Sequence, residues 1–164
     1  MIAALDVYYS SEGARAAAVV FEEWESENYV SSYVSLVPEC EDYFPGQFYL
    51  RELQPLLIVI SEIREDITNF VVDGYCHLSS EGLPGLGAHL ANNLLSKPNI
   101  VGVAKNGFRG SEHAIVVCRG RSKRPLFVTS IRVGYAEAAR NIEQMHGSYR
   151  FPTLLKQVDG LSRS

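Results

Sequence analysis

Residues 42–60 read DYFPGQFYLRELQPLLIVI and mark the point at which successive strands give way to helices in this chain. The pair Pro45-Gly46 is typical of a turn. Apolar side chains follow the turn at spacings of three and four, the pattern of an amphipathic helix: Tyr49, Leu53, Leu56, Leu57 and Ile60. Glu52 lies on the same stripe, where an unpaired carboxylate would cost several kcal/mol or take up a proton. We therefore expect a positive group opposite Glu52.

The segments on either side of this stretch predict a mixed α/β fold in a single domain, residues 1–164. Three strands are predicted before it, at residues 2–9, 15–24 and 28–37. The elements predicted after it are strand 67–74, helix 85–97, strand 98–105, a hairpin of strands 112–120 and 124–133, and helices 135–147 and 151–163. This order predicts a sheet that begins with antiparallel strands and carries helices on both faces, a ribonuclease H-like arrangement. A doubly wound parallel sheet is the alternative.

Composition indicates a cytoplasmic protein without a membrane segment. Of the 164 residues, 46% are hydrophobic, which is enough to fill one core. No apolar run approaches the roughly 20 residues of a membrane span, and the first residues do not have the pattern of a signal peptide. The three cysteines, Cys40, Cys76 and Cys118, are far apart in the sequence. Their spacing argues against a disulfide framework or a zinc ribbon and favours a reducing compartment.

The net charge of −4 is unusual for a nucleic-acid-binding protein, but the charges are unevenly distributed. Acidic residues gather in FEEWESE (residues 21–27) and PECEDY (38–43). Basic residues gather in CRGRSKRP (118–125), at Arg119, Arg121, Lys123 and Arg124. This basic run is either a solvated hairpin turn or a patch that binds phosphates, and composition alone does not choose between them.

Four acidic residues are predicted to face the interior of the sheet or its helices. Asp6 interrupts the first apolar strand, Asp73 ends the strand FVVD, and Asp159 borders an apolar face of the last helix; Glu52 is the fourth. Any one of them alone would be interpreted as a cap or a turn acceptor. Together they would repel one another unless a divalent cation neutralised them. Oxygen ligands with few histidines suit Mg²⁺ or Mn²⁺ better than zinc, so we expect Glu52 to face a metal ion.

Several segments resemble the endonuclease V family over nearly the whole chain and in collinear order. They are LD in the first strand, YFPGQFYLRE, VVDG, GLGAH, VGVAK, RPLFVTS and RFPTLLKQVDGLS. The spacing Y-x-P-G-x-x-x-x-R-E is the most specific of these. The resemblance implies a ribonuclease H-like, metal-dependent repair nuclease that hydrolyses a phosphodiester near deoxyinosine in damaged DNA.

The resemblance also implies roles for individual residues. The metal acids of the family fall on Asp6, Glu52 and Asp73, with Asp159 at the late acidic position of the last helix. The phosphate-binding lysine falls on Lys105, and the small residue of the base pocket on Gly102. The wedge that separates strands falls on the turn formed by Tyr43, Phe44, Pro45 and Gly46.

Alternatives remain at three of these positions and for the function as a whole. Phe44 could be a hydrophobic staple under the following helix, Lys105 a surface lysine, and Gly102 the mark of a bulge. The protein could also cut inosine-containing RNA or another structured or single-stranded nucleic acid, or bind nucleic acid without cleaving it.

The sequence departs from the family pattern at one histidine. The family places a histidine six residues after the Asp of the D-G pair, and here that residue is Ser79. A histidine there can donate or accept a proton near neutral pH, which a serine cannot. His77 could replace it, or could cap its loop or face solvent, while His89 is expected on the following helix.

Overall fold

The computed structural model of the protein describes residues 1–38 and 48–164, with the backbone alone for residues 48–50. Seven strands in this part of the chain form one mixed sheet in the order β3-β2-β1-β4-β5-β7-β6. Their bounds are β1 Ile2–Ser10, β2 Gly13–Phe21, β3 Ser31–Val37, β4 Asn69–Asp73, β5 Asn99–Ala104, β6 Ile115–Val117 and β7 Leu126–Ile131.

The first three strands form an antiparallel meander. β1 and β2 pair from Ile2 opposite Phe21 to Ser10 opposite Gly13, so a two-residue turn joins them. Gly13 has φ +115°, a left-handed conformation that favours glycine, and a Cβ there would collide with the backbone of Val37. The middle of β2 consists of small residues that are fully buried, which allows helices to pack closely on both of its faces.

The central strands β1, β4 and β5 are parallel, so their carboxyl ends meet at one edge of the sheet. β7 then returns antiparallel beside β5, and β6 pairs antiparallel on its outer side. The antiparallel strands at both ends exclude the doubly wound parallel alternative. The predicted mixed sheet with an antiparallel start is confirmed.

In the described part of the chain, two helices cover each face of the sheet. They are α1 Phe48–Glu62 and α2 Leu86–Asn92 on one face, and α3 Tyr135–Gln144 and α4 Thr153–Arg163 on the other. The core under α1 and α2 includes Leu56, Val59 and Leu90, whereas the core under α3 and α4 includes Ile142 and Leu154. Alternate residues of each strand enter these two cores, because successive side chains of a strand point to opposite faces.

Several elements are shorter than the sequence predicts. The helix expected over residues 85–97 ends at Asn92, and the strand expected over 112–120 keeps only Ile115–Val117. In the described residues, no helix is both long enough and apolar enough to cross a membrane.

Candidate active site

A cleft of about 830 Å³ opens where β1, β4 and β5 end beneath α4. Asp6 and Asp73 line it from the sheet, and Asp159 lines it from α4. Extending the parallel pairing of Ala4 with Val71 by two residues brings Asp6 level with Asp73 and on the same face. Parallel pairing of two strands that are distant in sequence therefore places these carboxylates side by side.

Asp6 is held in place from α4. Ser162 donates a hydrogen bond from Oγ to Oδ2 of Asp6 at 3.1 Å. Burial raises the pKa of Asp6, and a hydrogen bond to Asp159 and the negative charge of Asp73 raise it further. Burial also acts to raise the pKa of Asp159, but hydrogen bonds from Arg163 and Asp6 lower it overall. Of the two carboxyls, Asp6 therefore takes up a proton more readily than Asp159.

Glu52 approaches the same acids from α1. Its pKa is raised to about 7, first by burial and then by the charges of Asp73 and Asp6, while Arg51 acts to lower it. In residues 1–38 and 51–164, no basic side chain forms an ion pair with Glu52. Arg51 therefore acts on Glu52 from beyond ion-pair distance.

Lys105 lies just beyond β5 and faces Asp73. Its Nζ is 3.2 Å from Oδ2 of Asp73 and 5.5 Å from the centre of the Phe151 ring. The two side chains of the ion pair are 42% and 41% exposed, so the pair contributes little to stability. Its exposed position leaves Lys105 accessible to a phosphate in the cleft.

The acids share one electrostatic environment without forming a ready-made metal cage. Within the described ranges, no group of three or more His, Cys, Asp or Glu side chains is arranged to hold a metal ion. Asp73 is turned toward Lys105, and Asp6 toward Ser162 and Asp159. The donor set still fits a hard cation, because it consists of carboxylate oxygens, and burial followed by the charges of neighbouring acids raises the pKa of Asp6 and Glu52. Binding would require the carboxylates to reorient.

Comparison with known proteins shows the family of this chain. The profile of the endonuclease V family matches residues 1–145. The chain belongs to the endonuclease V family.

Individual family members resemble it over almost its full length. Endonuclease V from Pyrococcus abyssi is 31% identical over 167 residues, which cover 99% of this chain and 78% of that protein. The structure of human ENDOV superposes with a TM-score of 0.74 at 25% identity, over 99% of this chain and 82% of that one. Endonuclease V of Ciona intestinalis, in complex with a 24mer DNA containing an inosine followed by a ribo-adenosine, gives a TM-score of 0.78 at 19% identity, over 99% and 84%. The ribonuclease H-like fold predicted from the order of elements is thereby confirmed.

The substrate-binding residues implied by the endonuclease V resemblance are only partly described. The wedge residues Tyr43, Phe44, Pro45 and Gly46 lie outside the described residues, so both their wedge role and the staple alternative stay predictions. Gly102 lies in β5 on the face opposite Lys105, under the backbone of the segment after β4. A Cβ on Gly102 would lie 2.5 Å from the carbonyl oxygen of Gly74 and 2.9 Å from Oγ1 of Thr129. A small residue is required there for backbone packing, and the base-pocket role stays a prediction.

The histidines near the departure from the family pattern do not line the cleft. His77 shares a hydrogen bond of 2.6 Å between its Nδ1 and the hydroxyl of Tyr135, and its carbonyl accepts a bond of 2.7 Å from His113. Burial, followed by the charge of His113, lowers the pKa of His77. Oγ of Ser79 accepts a hydrogen bond from the backbone N–H of Leu83. These contacts favour a loop-capping role for His77.

Sequence reasoning did not assign a role to the cationic and aromatic wall of the cleft. This wall is built by Arg121, Tyr149, Arg150, Phe151 and Lys156. The basic run pointed to Arg121 as part of a possible phosphate-binding patch, and the resemblance of RFPTLLKQVDGLS to a family segment covered Arg150, Phe151 and Lys156 without giving them a role. The basic run divides: Arg121 lines the cleft, while Arg119 is only 5% exposed and donates hydrogen bonds to backbone carbonyls.

Proposed function

We propose that this protein is an endonuclease that uses Mg²⁺ or Mn²⁺ to hydrolyse a phosphodiester bond near deoxyinosine in DNA. The observation that carries the proposal is that Asp6 and Asp73 line one open cleft, and that their charges, after burial, raise the pKa of the neighbouring Glu52. Such an arrangement is costly in a protein that binds no cation. The named endonuclease V relatives support the reaction and the lesion.

The charges around the cleft suit a nucleic-acid strand. Carboxylates lie on the side of the sheet and of α4, and four cations line the same cleft: Lys105, Arg121, Arg150 and Lys156. Basic side chains of this kind bind backbone phosphates. A strand bound along them would bring a phosphodiester to the carboxylates.

The residues present have separable tasks in this reaction. Asp6, Glu52 and Asp73 would hold the cation, with Asp159 positioned through its hydrogen bond to Asp6. When bound, the cation supplies a water of lowered pKa and stabilises negative charge on the phosphate oxygens. Glu52 and Asp6 must release their protons to become ligands, which makes binding dependent on pH. Lys105 places a fixed positive charge beside the phosphate.

Cleavage assays on labelled oligonucleotides test the proposal. We would compare DNA with one deoxyinosine, the same DNA without it, and RNA with one inosine, each with Mg²⁺, with Mn²⁺ and with EDTA. The expected result is cleavage of the deoxyinosine strand with either cation and none in EDTA. Faster cleavage of the RNA would instead make RNA the substrate, and equal cleavage of undamaged DNA would contradict lesion recognition. Binding without cleavage under all conditions would indicate a non-catalytic module.

A further inference from the structure

Tyr149 combines an exposed ring with a firmly held backbone. The residue is 72% exposed and lines the active-site cleft just before α4. An aromatic side chain at this exposure gains little from the core of its own protein. Its position in a charged cleft therefore makes the ring available to a bound ligand.

The backbone around Tyr149 is fixed by the buried Arg119. The guanidinium donates from Nη1 to the carbonyl of Tyr149 at 2.6 Å, and from Nη2 to the carbonyls of Gly147 at 3.0 Å and Met145. Hydrogen bonds from a charged donor are stronger than neutral ones, especially where water is excluded. The ring of Tyr149 is therefore displayed from a rigid segment and has only its own two χ angles to order on binding.

Cations surround this ring. Nζ of Lys156 lies 5.7 Å from the ring centre, and Arg121 and Arg150 line the same cleft. The guanidinium of Arg150 is bound to the carbonyls of Arg124, Lys105 and Pro125, so it joins the wall to the catalytic lysine. An exposed aromatic ring next to several cations is the combination by which proteins bind single-stranded nucleic acid: bases stack on the ring and phosphates meet the cations.

We propose that Tyr149 is a stacking platform for an unpaired base of the strand that enters the active-site cleft, with Lys156 and Arg121 contacting the flanking phosphates. A paired base inside a duplex has both faces covered by its neighbours and cannot stack on the ring. The cleft therefore selects strands that are single or locally opened. The proposal rests on the proposed nuclease function only in naming the bound strand as substrate.

Binding measurements without divalent cations test the platform independently of cleavage. Fluorescence anisotropy in EDTA would compare a labelled single strand of about a dozen nucleotides with its blunt duplex. Tyr149→Ala is expected to weaken single-strand binding by about 5- to 150-fold, the range for a lost base–aromatic contact, and to change duplex binding much less. Tyr149→Phe is expected to bind like the wild type because the ring is retained. The matched control, Tyr29→Ala, removes an exposed tyrosine that does not line the cleft and should leave binding unchanged.

A base analogue reports stacking directly. Single strands carrying 2-aminopurine at successive positions should show quenched fluorescence at one position with wild type and Tyr149→Phe, and no quenching with Tyr149→Ala. Unchanged single-strand affinity in Tyr149→Ala, or equal losses for single strand and duplex, would overturn the platform. Cleavage of deoxyinosine DNA alongside such a result would leave the nuclease function standing. The expected binding pattern without cleavage would support the platform and contradict the nuclease.

Discussion

At the scale of single residues, burial and neighbouring negative charges disfavour the ionised forms of Asp6 and Glu52. Asp73 is the most accessible of the three acids proposed as metal ligands, with its side chain 41% exposed and paired to Lys105. Glu52 and Asp6 are more buried, and burial is the largest cause of their raised pKa values. Each of these differences leads to a distinct experiment.

Replacing Asp73 with asparagine should separate catalysis from stability. The substitution removes a ligand charge with little change in volume, and the ion pair it breaks is largely exposed. We expect Asp73→Asn to lose cleavage by at least about 10²-fold, as for other groups that act directly in a reaction, while its melting temperature stays close to that of the wild type. Wild-type cleavage rates for this variant in Mg²⁺ would show that Asp73 is not a ligand.

Glu52 should make the metal-free protein less stable as pH rises. Its pKa is raised to about 7 in the folded protein from an unfolded value of 4.5. Between these values the folded state keeps a proton that the unfolded chain releases, so the free energy of unfolding falls as pH rises through this window and levels off above it. The loss is roughly 3 kcal/mol, from about 1.4 kcal/mol per pKa unit. Urea unfolding in EDTA at several pH values measures it.

Glu52→Gln is the control for this pH dependence, because glutamine stays neutral throughout. The variant should match the wild type in acid and exceed it in stability near neutral pH and above. Mg²⁺ should stabilise the wild type more than the variant, since a cation that binds only the folded state raises its stability. Identical pH profiles for the two proteins would mean that Glu52 keeps an ordinary pKa.

The same substitution at two arginines of the basic run should have different effects, on stability at Arg119 and on nucleic-acid binding at Arg121. Arg119→Met removes a buried guanidinium and leaves its carbonyl partners without a donor, which should cost roughly 3 kcal/mol or more. For a domain of this size, that corresponds to a melting temperature lower by about 6–12 °C. Arg121→Met, at an exposed position lining the cleft, should leave the melting temperature unchanged and weaken nucleic-acid binding. Similar melting temperatures for both variants would contradict the anchoring role of Arg119.

At the scale of elements, the end of β4 depends on close packing against β5. The chain leaves β4 at Asp73 and crosses over Gly102, where a side chain would collide with the carbonyl of Gly74 and the N–H of Cys76. The same N–H donates a hydrogen bond to Oγ1 of Thr129 at 2.8 Å. The position of Asp73 therefore depends on an absent side chain on the neighbouring strand.

Alanine substitutions at two glycines should separate packing from helix propensity. Gly102→Ala must displace backbone atoms, so we expect a loss of about 1–3 kcal/mol in stability and a matching fall in cleavage. Gly160 lies in α4 with open space around it, so Gly160→Ala should stabilise the protein by about 0.5–1 kcal/mol. Thermal unfolding of both variants measures the difference. A stabilised Gly102→Ala protein would show that the segment after β4 moves freely.

At the scale of the whole molecule, the distribution of charge matters more than its sum. The net charge is −4, yet Lys105, Arg121, Arg150 and Lys156 line one cleft. Acidic residues elsewhere on the protein repel a nucleic-acid strand and weaken its binding away from the cleft. The cations that line the cleft bind the strand's phosphates.

Salt dependence of single-strand binding should count the cations that meet phosphates. If Lys105, Arg121 and Lys156 each neutralise one phosphate, the slope of log K against log salt should be about −2, at roughly −0.7 per phosphate for single strands. Lys156→Gln should reduce its magnitude by about 0.7. Lys123→Gln, from the basic run at residues 118–125 but outside the cleft lining, should leave it unchanged. Equal effects of both substitutions would indicate that binding is diffuse.

Residues that stand out in a local pattern could be located from the sequence. Glu52 was located because a helical stripe has a fixed period, and Asp6 and Asp73 because an acid inside or at the end of an apolar strand stands out from its neighbours. The predicted mixed sheet followed from the order of strands and helices. The periods and the isolated acids involve residues only a few positions apart, and the order of elements is read directly along the chain, so the sequence by itself determined both.

Only the tertiary structure decided that the acids line one cleft and which basic and aromatic side chains line it with them. Arg119 and Tyr149 are 30 residues apart, and Arg150 and Lys105 are 45 apart, so no local period indicates that they touch. Arg119 could not be told apart from Arg121 in sequence, because the burial of Arg119 depends on where the segment 145–150 packs. The local sequence does not indicate that β7 lies between β5 and β6, because other strand pairings would have similar local propensity. Packing between distant segments determines the strand order, because apolar side chains are buried and backbone hydrogen bonds are formed only once the whole sheet is assembled.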